Sequence, residues 1–164
     1  MPSNKRQNAF DSIDSKIIRI LAENGRTSWA DLGAALKLSA PAAADRVRKL
    51  EERRLIRGYT ALLDPEQVGA EVMAFIAVRL ERPRNRSGFI KRVLGLDGIL
   101  ECHHLAGEDD YLLKVRVASL RALEKLVSTN LKALEGVAST RTTIALSTVK
   151  ETPTPPLSAL EGSS

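Results

Sequence analysis

The chain has one cysteine, two histidines and no long apolar run, and each shortage excludes a class of protein. With Cys102 alone, no intramolecular disulfide framework can form, as is typical of a protein from a reducing compartment. No apolar stretch reaches the about 18 residues that a membrane-spanning helix needs. Residues 1–8 are polar and lack the apolar core of a signal peptide. The sequence therefore predicts a cytoplasmic protein with no membrane partner.

The small number of cysteine and histidine residues also limits metal binding and catalysis. The histidines and the cysteine occur together as Cys102-His103-His104 in a predicted strand, where alternation directs His103 away from its two neighbours. Without a second Cys/His cluster, the ligand count falls short of a tetrahedral metal site. The sequence also lacks a nucleophile–base–orienter set and a glycine-rich phosphate loop. We expect no metal site, no cofactor and no enzyme of these kinds.

Positive charge is concentrated in the first part of the chain. Residues 1–60 hold twelve Lys/Arg against seven Asp/Glu, whereas the remaining residues hold thirteen of each. The whole net charge of +5 therefore belongs to the first part. A basic module joined to a neutral one predicts that the basic module meets a polyanion. Basic helices that are merely solvated are the alternative explanation of the charge.

Three short amphipathic helices are predicted in the basic part. The first is capped by Asp11-Ser12 or Asp14 and ends at Gly25. Thr27 or Ser28 caps the second, Ser28 with Asp31 forming a short capping box, and Ser39 caps the third. Their apolar stripes are Ile13, Ile17, Ile20 and Leu21, then Leu32, Ala35 and Leu36, then Ala43, Val47 and Leu50. Trp29 is expected to pack between the helices. Two amphipathic helices joined by a tight turn, the second of them basic, predict a helix–turn–helix for the DNA major groove.

The predicted architecture is α+β with two domains. Residues 56–62 predict a turn and a short strand, which complete a winged helix–turn–helix domain over residues 9–62, and residues 63–70 form a linker. Strands over 71–80, 99–105, 111–117 and 137–149, with a helix from Ser87 and another ending near Gly136, give a ferredoxin-like βαββαβ domain over 71–150. Its uncovered sheet face carries Met73, Phe75 and Ala77, which predicts pairing with a second copy. The Pro, Gly and Ser content of residues 151–164 predicts an extended or disordered tail.

Ordered motifs along both domains carry a family resemblance. They are residues 13–18, 24–28, 36–39, 46–51 and 56–65, then residues 100–103, 107–113, 136–137, 140–142 and 149–150. From roughly Asp14 to Val149 the chain resembles the Lrp/AsnC (leucine-responsive/asparagine regulator) family of transcription factors. The resemblance implies an N-terminal domain for double-stranded DNA, with pseudo-palindromic operators, and a C-terminal domain that senses a small effector, typically an amino acid. It also implies a homodimer that assembles further into tetramers or octamers.

Candidate DNA contacts follow from helical geometry. Arg46 is the leading candidate for a bidentate contact to guanine, with a phosphate contact as the alternative. Asp45 could accept from a cytosine amino group or hold a neighbouring cation, and Ala42 is small enough to approach a thymine methyl. The remaining cations suit phosphates, as does the cap Ser39 at a helix N-terminus. The predicted DNA-binding residues are Ser28, Ser39, Ala42, Asp45, Arg46, Arg48, Lys49, Arg53 and Arg57.

Candidate effector contacts surround the acidic loop Glu108-Asp109-Asp110. Three neighbouring carboxylates could receive an ammonium group or a metal ion, whereas a solvated hairpin turn is the alternative; the resemblance favours the effector. Many family members have an aromatic residue where this chain has Asp109. The predicted effector-binding residues are Leu105, Gly107, Glu108, Asp109, Asp110, Tyr111, Thr143, Ile144 and Leu146.

One enzyme alternative shares this architecture. Sirohaem decarboxylases resemble the same two-domain arrangement and rely on a histidine near the pocket, a role that His103 or His104 could fill. The strongly basic third helix favours the regulator.

Overall fold

The computed structural model describes residues 11–160, which divide into two compact units. Unit 1 extends to Leu62 and also includes the segment from Glu151, whereas unit 2 is Leu63–Lys150. The division falls where the sequence predicts the start of the linker. Residues 63–70 form a turn at the start of unit 2, since the amide of Ala70 donates to the carbonyl of Pro65 at 2.7 Å.

Unit 1 is built from three helices around a small apolar core. The helices are α1, Ser12–Glu23; α2, Trp29–Leu36; and α3, Ala40–Glu52. The core consists of the predicted apolar stripes, with Ile17, Leu21, Leu32, Ala43, Val47 and Leu50 buried. Trp29 is 47% exposed on the first residue of α2, so the expectation that it packs between the helices is wrong.

A side-chain oxygen caps the N-terminus of each helix in unit 1. Asp11 accepts from the amide of Asp14 at 2.8 Å, and the Asp14 carboxylate accepts in return from the amide of Asp11 at 3.2 Å. Ser28 accepts from the amide of Asp31 at 3.1 Å, and Ser39 accepts from the amide of Ala42 at 3.3 Å. These caps satisfy amides that have no partner inside the helix. They confirm the helix starts expected from the sequence.

The turn between α2 and α3 depends on a glycine inside α2. A Cβ atom on Gly33 would lie 2.8 Å from the carbonyl oxygen of Leu38 and 3.2 Å from the amide nitrogen of Ala40. Lys37 ends α2 with φ of +57°, in the left-handed region. The backbone of the turn therefore folds directly against α2, which fixes where α3 begins.

The segment after α3 differs from the sequence-based expectation. Residues 56–62 form no strand in the structure, because no segment of residues 11–160 pairs with them, and a strand needs a hydrogen-bonded neighbour. Instead the Tyr59 hydroxyl donates to the Glu51 carboxylate at 2.9 Å. The prediction of a wing strand is therefore wrong for the single chain.

The C-terminal segment also differs from its prediction. Residues 151–160 belong to unit 1 and end in a 3₁₀ turn, Leu157–Leu160. The Arg19 guanidinium donates to the carbonyl of Leu157 at 3.3 Å, and residues 152–154 line a cavity of unit 1 together with Leu21 and Tyr59. The segment therefore forms a strap that contacts α1, an arrangement that the sequence did not predict. Residues 161–164 lie outside the described residues.

Unit 2 is a four-stranded antiparallel sheet in the order β2-β3-β1-β4. The elements are β1, Val72–Leu80; α4, Arg86–Leu94; β2, Ile99–His104; β3, Tyr111–Val117; α5, Leu120–Lys125, which continues as a π-helical turn, Leu126–Lys132; and β4, Val137–Ile144. This is the predicted βαββαβ order. The last strand ends five residues earlier than predicted, because Ile144 pairs with Ala74 near the start of β1.

The two faces of the sheet are chemically distinct. Ala74, Ile76 and Val78 of β1 are fully buried in a core that includes Phe89 of α4 and Leu131. The alternating residues Met73, Phe75 and Ala77 lie on the opposite face, as the period of two predicts. Over residues 11–160, no helix is long and apolar enough to cross a membrane.

Candidate DNA-binding surface and effector pocket

The exposed side of α3 is basic, but its charges are partly paired with one another. Asp45 binds Lys49, with Nζ–Oδ2 at 2.8 Å, and also contacts Arg48. The bond from Lys49, then that from Arg48, lowers the pKa of Asp45 below its ordinary value. Asp45 therefore orients two cations on the helix surface, which is one of its two predicted roles.

Arg46 lies in a different environment from the one its sequence position suggests. Its Nη1 is 2.8 Å from Asp11 Oδ2 and 2.8 Å from Asp14 Oδ1, at the N-terminus of α1. The Asp14 side chain is only 12% exposed, so this contact is partly shielded from water. Arg46 thus joins α3 to α1, and its predicted contact to guanine stays a prediction.

The other predicted DNA contacts lie on the surface of unit 1. Ala42 is exposed in the first turn of α3, and Ser39 is exposed immediately before that helix. Ser28 is exposed immediately before α2, and its hydroxyl also donates to the Asp31 carboxylate at 2.6 Å. Arg53 ends α3 and Arg57 follows it, both exposed. Within residues 11–160 neither of these two guanidinium groups forms a hydrogen bond or an ion pair. They are therefore available for phosphates.

Two carboxylates of the predicted effector loop are occupied within unit 2. Asp110 Oδ2 accepts from the amide of Leu80 at 2.7 Å, where β1 changes register. Asp109 binds Arg141 of β4, with Nη2–Oδ2 at 2.6 Å, and its side chain is 16% exposed. Glu108 is exposed. The loop therefore does not present three free carboxylates to one ligand.

The remaining predicted effector residues fall into separate places. Tyr111 is buried against Phe89, with ring centroids 4.8 Å apart. Leu105 and Gly107, which precede Tyr111 in the β2–β3 connection, are exposed. On β4, Thr143 pairs with Phe75 and Ile144 with Ala74, while Leu146 follows the strand. The acidic loop instead lies near Val78 and Leu80 of β1. These positions are three or more residues further along β1 than Phe75, which corresponds to about 10 Å or more at the rise of a strand. One chain therefore does not bring the two groups together.

A pocket at the junction of β1 and α4 contains residues that the sequence analysis did not assign. Its cavity is about 210 Å³, and its lining is Leu80, Glu81, Arg82, Pro83, Arg86, His104, Asp110 and Tyr111. Only Asp110 and Tyr111 belong to the predicted effector set. The sequence signal for this pocket was the alternation Arg82-Pro83-Arg84-Asn85-Arg86, which places three cations within five residues without an intervening acid.

The Cys102-His103-His104 motif does not assemble a metal site. His103 contacts Glu101 at 2.9 Å, and Glu101 also binds Lys114 at 3.1 Å. Desolvation raises the pKa of the Cys102 thiol, which disfavours the thiolate that a metal requires. Within residues 11–160 no group of three or more His, Cys, Asp or Glu is arranged to hold a metal ion.

Two family models match the two units. Residues 10–51 match the AsnC-type helix-turn-helix domain, and residues 73–155 match the Lrp/AsnC ligand binding domain. The first match covers the three helices of unit 1, and the second covers the sheet and helices of unit 2.

Similar proteins and structures agree with these matches. The chain is 40% identical to the leucine-responsive regulatory protein of Haemophilus influenzae over 90% of each chain. It is 36% identical to the Bkd operon transcriptional regulator of Pseudomonas aeruginosa, covering 90% of this chain and 98% of that protein. A transcriptional regulator of Neisseria meningitidis solved with L-Met superposes with a TM-score of 0.87 at 33% identity, over 92% of this chain and 99% of that one.

Two of these proteins are named transcriptional regulators and the third is named a regulatory protein, which supports the regulator and gives no support to the decarboxylase alternative. The two domain matches occur in the same order along the chain as units 1 and 2. The chain therefore belongs to the Lrp/AsnC family of transcriptional regulators.

Proposed function

We propose that α3 enters the major groove of operator DNA and that cations at its end hold the phosphate backbone. The observation that carries this is the two-sided character of α3. Ala43, Val47 and Leu50 are buried, whereas Arg48 and Lys49 are exposed on the opposite side. An amphipathic basic helix supported by a three-helix core is the geometry of a recognition helix.

The residues of this interface have distinct roles. Ala42 lies in the first turn of α3, the part of the helix that approaches base edges, with Ser39 donating to a neighbouring phosphate. Arg53 and Arg57, which have no partner within residues 11–160, contribute affinity that is independent of sequence. Lys49 and Arg48 combine both roles, since Asp45 fixes where their charges lie.

Fluorescence anisotropy with labelled duplex DNA tests this interface. We expect Arg53→Gln to weaken operator and scrambled DNA equally and to reduce the slope of log K against log salt by about 0.9, the value for one phosphate contact. Lys16→Gln, which removes an exposed charge from α1, is the matched control and should leave the slope unchanged. Equal slopes for both variants would remove Arg53 from the interface.

We further propose that an amino acid binds unit 2 and alters DNA affinity. The support is the match to a ligand binding domain and the bound L-Met of the Neisseria meningitidis regulator. Titrating operator DNA with and without a pool of amino acids tests this role. A shift in the dissociation constant supports it, and an unchanged constant contradicts it.

A homodimer through the open face of the sheet, with cytoplasmic location and assembly into tetramers or octamers, completes the proposal. Phe75 is half-buried at the centre of this face, with Ala77 and Leu112 beside it. Sedimentation velocity should show a dimer or larger species that Phe75→Glu shifts toward monomer. Leu94→Glu, on the 81% exposed side chain at the end of α4, is the control. An unchanged Phe75→Glu protein would exclude this face as the interface.

A further inference from the structure

We propose that residues 82–92 of unit 2 form a second DNA contact, which holds phosphates of the duplex that α3 binds. This segment, here called the basic strip, contains five cations and no acid, and no other stretch of eleven residues in the chain has as large a net positive charge. The inference rests on the proposed DNA-binding function and adds a surface outside the helix–turn–helix. The cations of the strip are Arg82, Arg84, Arg86, Lys91 and Arg92.

The basic strip has a larger net charge than the recognition helix itself. Within Ala40–Glu52, α3 has three cations and three acids, whereas unit 2 as a whole has thirteen cations and eleven acids. Outside the strip, unit 2 therefore has eight cations against eleven acids, and its nearly neutral total conceals a local excess of positive charge. A solvated surface ordinarily mixes the two signs, so charge of one sign on one segment indicates a polyanionic partner.

The cations of the strip have no acidic partner in the described chain. All five are exposed, and within residues 11–160 none of them forms an ion pair. Arg92 contacts the side chain of Asn130, which is a neutral amide. Glu81 and Asp110 line the neighbouring pocket, but neither forms an ion pair with the strip. The positive charges therefore repel one another, and an external anion would relieve this repulsion.

The fold holds the start of the strip in place. Pro83 begins a 3₁₀ turn, which the amide of Asn85 closes by donating to the carbonyl of Arg82 at 3.0 Å. The amide of Glu81 donates to the carbonyl of Gly136 at 2.9 Å, and a Cβ atom on Gly136 would overlap the Asn85 side chain. The turn is therefore packed directly against the residue that precedes β4. A backbone fixed in this way reduces the conformational freedom that is lost when the arginines bind.

The helix α4 continues the surface of the strip. Phe89 and Val93 are buried and fix the side of α4 that faces the sheet, so Lys91 lies on the opposite side. With nine residues, α4 is about 14 Å long. Duplex DNA carries one charge per about 1.7 Å of its axis, so this length corresponds to about eight phosphates. The phosphates along α4 therefore suffice to neutralise every cation of the strip.

Two features favour DNA among possible polyanions. Four of the five cations are arginines, whose forked guanidinium groups bind two phosphate oxygens at once. The second feature is that α3 and the strip belong to one polypeptide, so DNA held by unit 1 is at a high effective concentration for unit 2. Contacts that are weak on their own therefore add affinity without reading the sequence.

Fluorescence anisotropy of the full chain with labelled operator DNA, flanked by further duplex on both sides, tests the strip through R84Q/K91Q. Neither of these residues lines the pocket of unit 2. The loss of two phosphate contacts should reduce the slope of log K against log salt by about 1.8 and raise the dissociation constant about tenfold or more at about 0.1 M salt. The matched control, R121Q/K125Q, removes two exposed cations from α5 and should change the slope by less than about 0.5.

Acetylation of the wild-type chain gives a second measurement that needs no variant. Lys91 and Lys125 are both exposed lysines of unit 2. Operator DNA should slow the acetylation of Lys91 several-fold and leave the rate at Lys125 unchanged. Mass spectrometry of the digested protein measures both rates. Equal rates at Lys91 with and without DNA would overturn the inference.

The outcomes separate the strip from the α3 interface. If Arg53→Gln reduces the salt slope and R84Q/K91Q does not, the strip does not contact DNA, although the α3 interface stands. If both double variants reduce the slope equally, overall charge explains the effect and the inference is overturned. If DNA leaves Lys91 unprotected and R84Q/K91Q changes the sedimentation of the protein alone, the strip contacts another copy of the chain and the inference is wrong. If the wild type binds no duplex, both proposals fail.

Discussion

Replacing Arg46 by alanine should destabilise unit 1 far more than it changes DNA sequence preference. Arg46 makes two contacts of 2.8 Å, one with the 12% exposed Asp14 and one with the 53% exposed Asp11. A hydrogen bond to a charged group contributes about 1.5–3 kcal/mol when shielded, and an exposed ion pair about 0–1 kcal/mol. After discounting for solvent, we expect a loss of about 2 kcal/mol in the free energy of unfolding.

The single tryptophan allows the unfolding of unit 1 to be measured separately from that of unit 2. Trp29 begins α2 and is the only tryptophan of the chain, so its fluorescence reports on the helical unit. For a domain of 60–100 residues, a loss of 2 kcal/mol lowers the midpoint temperature by roughly 8–16 °C. Arg48→Ala is the control, because Arg48 is 64% exposed and its ion pairs lie on the surface of α3. Such exposed pairs contribute only about 0–1 kcal/mol to the free energy of unfolding.

The difference between wild type and variant should also depend on pH. The amide of Asp14, followed by Arg46, lowers the pKa of Asp11 below its ordinary value of 3.8. A depressed pKa stabilises the folded state fully above 3.8, and that stability is lost as the pH falls through the folded-state value. The gap in midpoint temperature should therefore narrow below pH 3.8. An Arg46→Ala protein with wild-type stability but relaxed preference at one base pair would refute this reasoning and support the predicted base contact.

Three further predictions test other contacts. Gly33→Ala should destabilise unit 1 by about 1–3 kcal/mol in urea titration, because the added Cβ meets the Leu38 carbonyl at 2.8 Å, and unchanged stability would show that the turn can shift. Asp110→Ala should lower the stability of unit 2 by about 1–3 kcal/mol by removing the acceptor of the Leu80 amide, as measured by hydrogen exchange at that amide. Burial, with a hydrogen bond to Glu51, raises the pKa of Tyr59 to about 12, so alkaline absorbance titration should show Tyr59 ionising at a higher pH in wild type than in Glu51→Gln.

Most of the architecture could be predicted because it depends on local patterns. The caps Asp11, Ser28 and Ser39 act within three residues, and the apolar stripes follow the helical period. The alternation of β1 likewise separates its two faces. Local patterns could not show whether residues 56–62 form the predicted wing strand, because a segment becomes a strand only if another segment pairs with it. The strap similarly depends on contact with Arg19, which is 138 residues away.

The candidate site was less predictable, because its contacts join distant parts of the chain. Arg46 meets Asp14 across 32 residues, so helical geometry correctly placed it off the buried stripe but could not show that α1 engages it. Asp110 binds an amide 30 residues away, and Arg82 and His104 line one pocket only because the sheet folds. Sequence spacing identifies residues on one helix or strand, whereas a pocket depends on which elements become neighbours.

The strap changes how the two units are connected. The chain leaves unit 1 at Leu62 and returns to it at Glu151, so unit 2 is an insertion held at both ends rather than a domain on a single hinge. One attachment follows α3, and the other runs to Arg19 on α1. The chain therefore crosses between the two units twice, after Leu62 and before Glu151. Deleting residues 151–164 would leave a single covalent connection between the two units, at Leu62–Leu63.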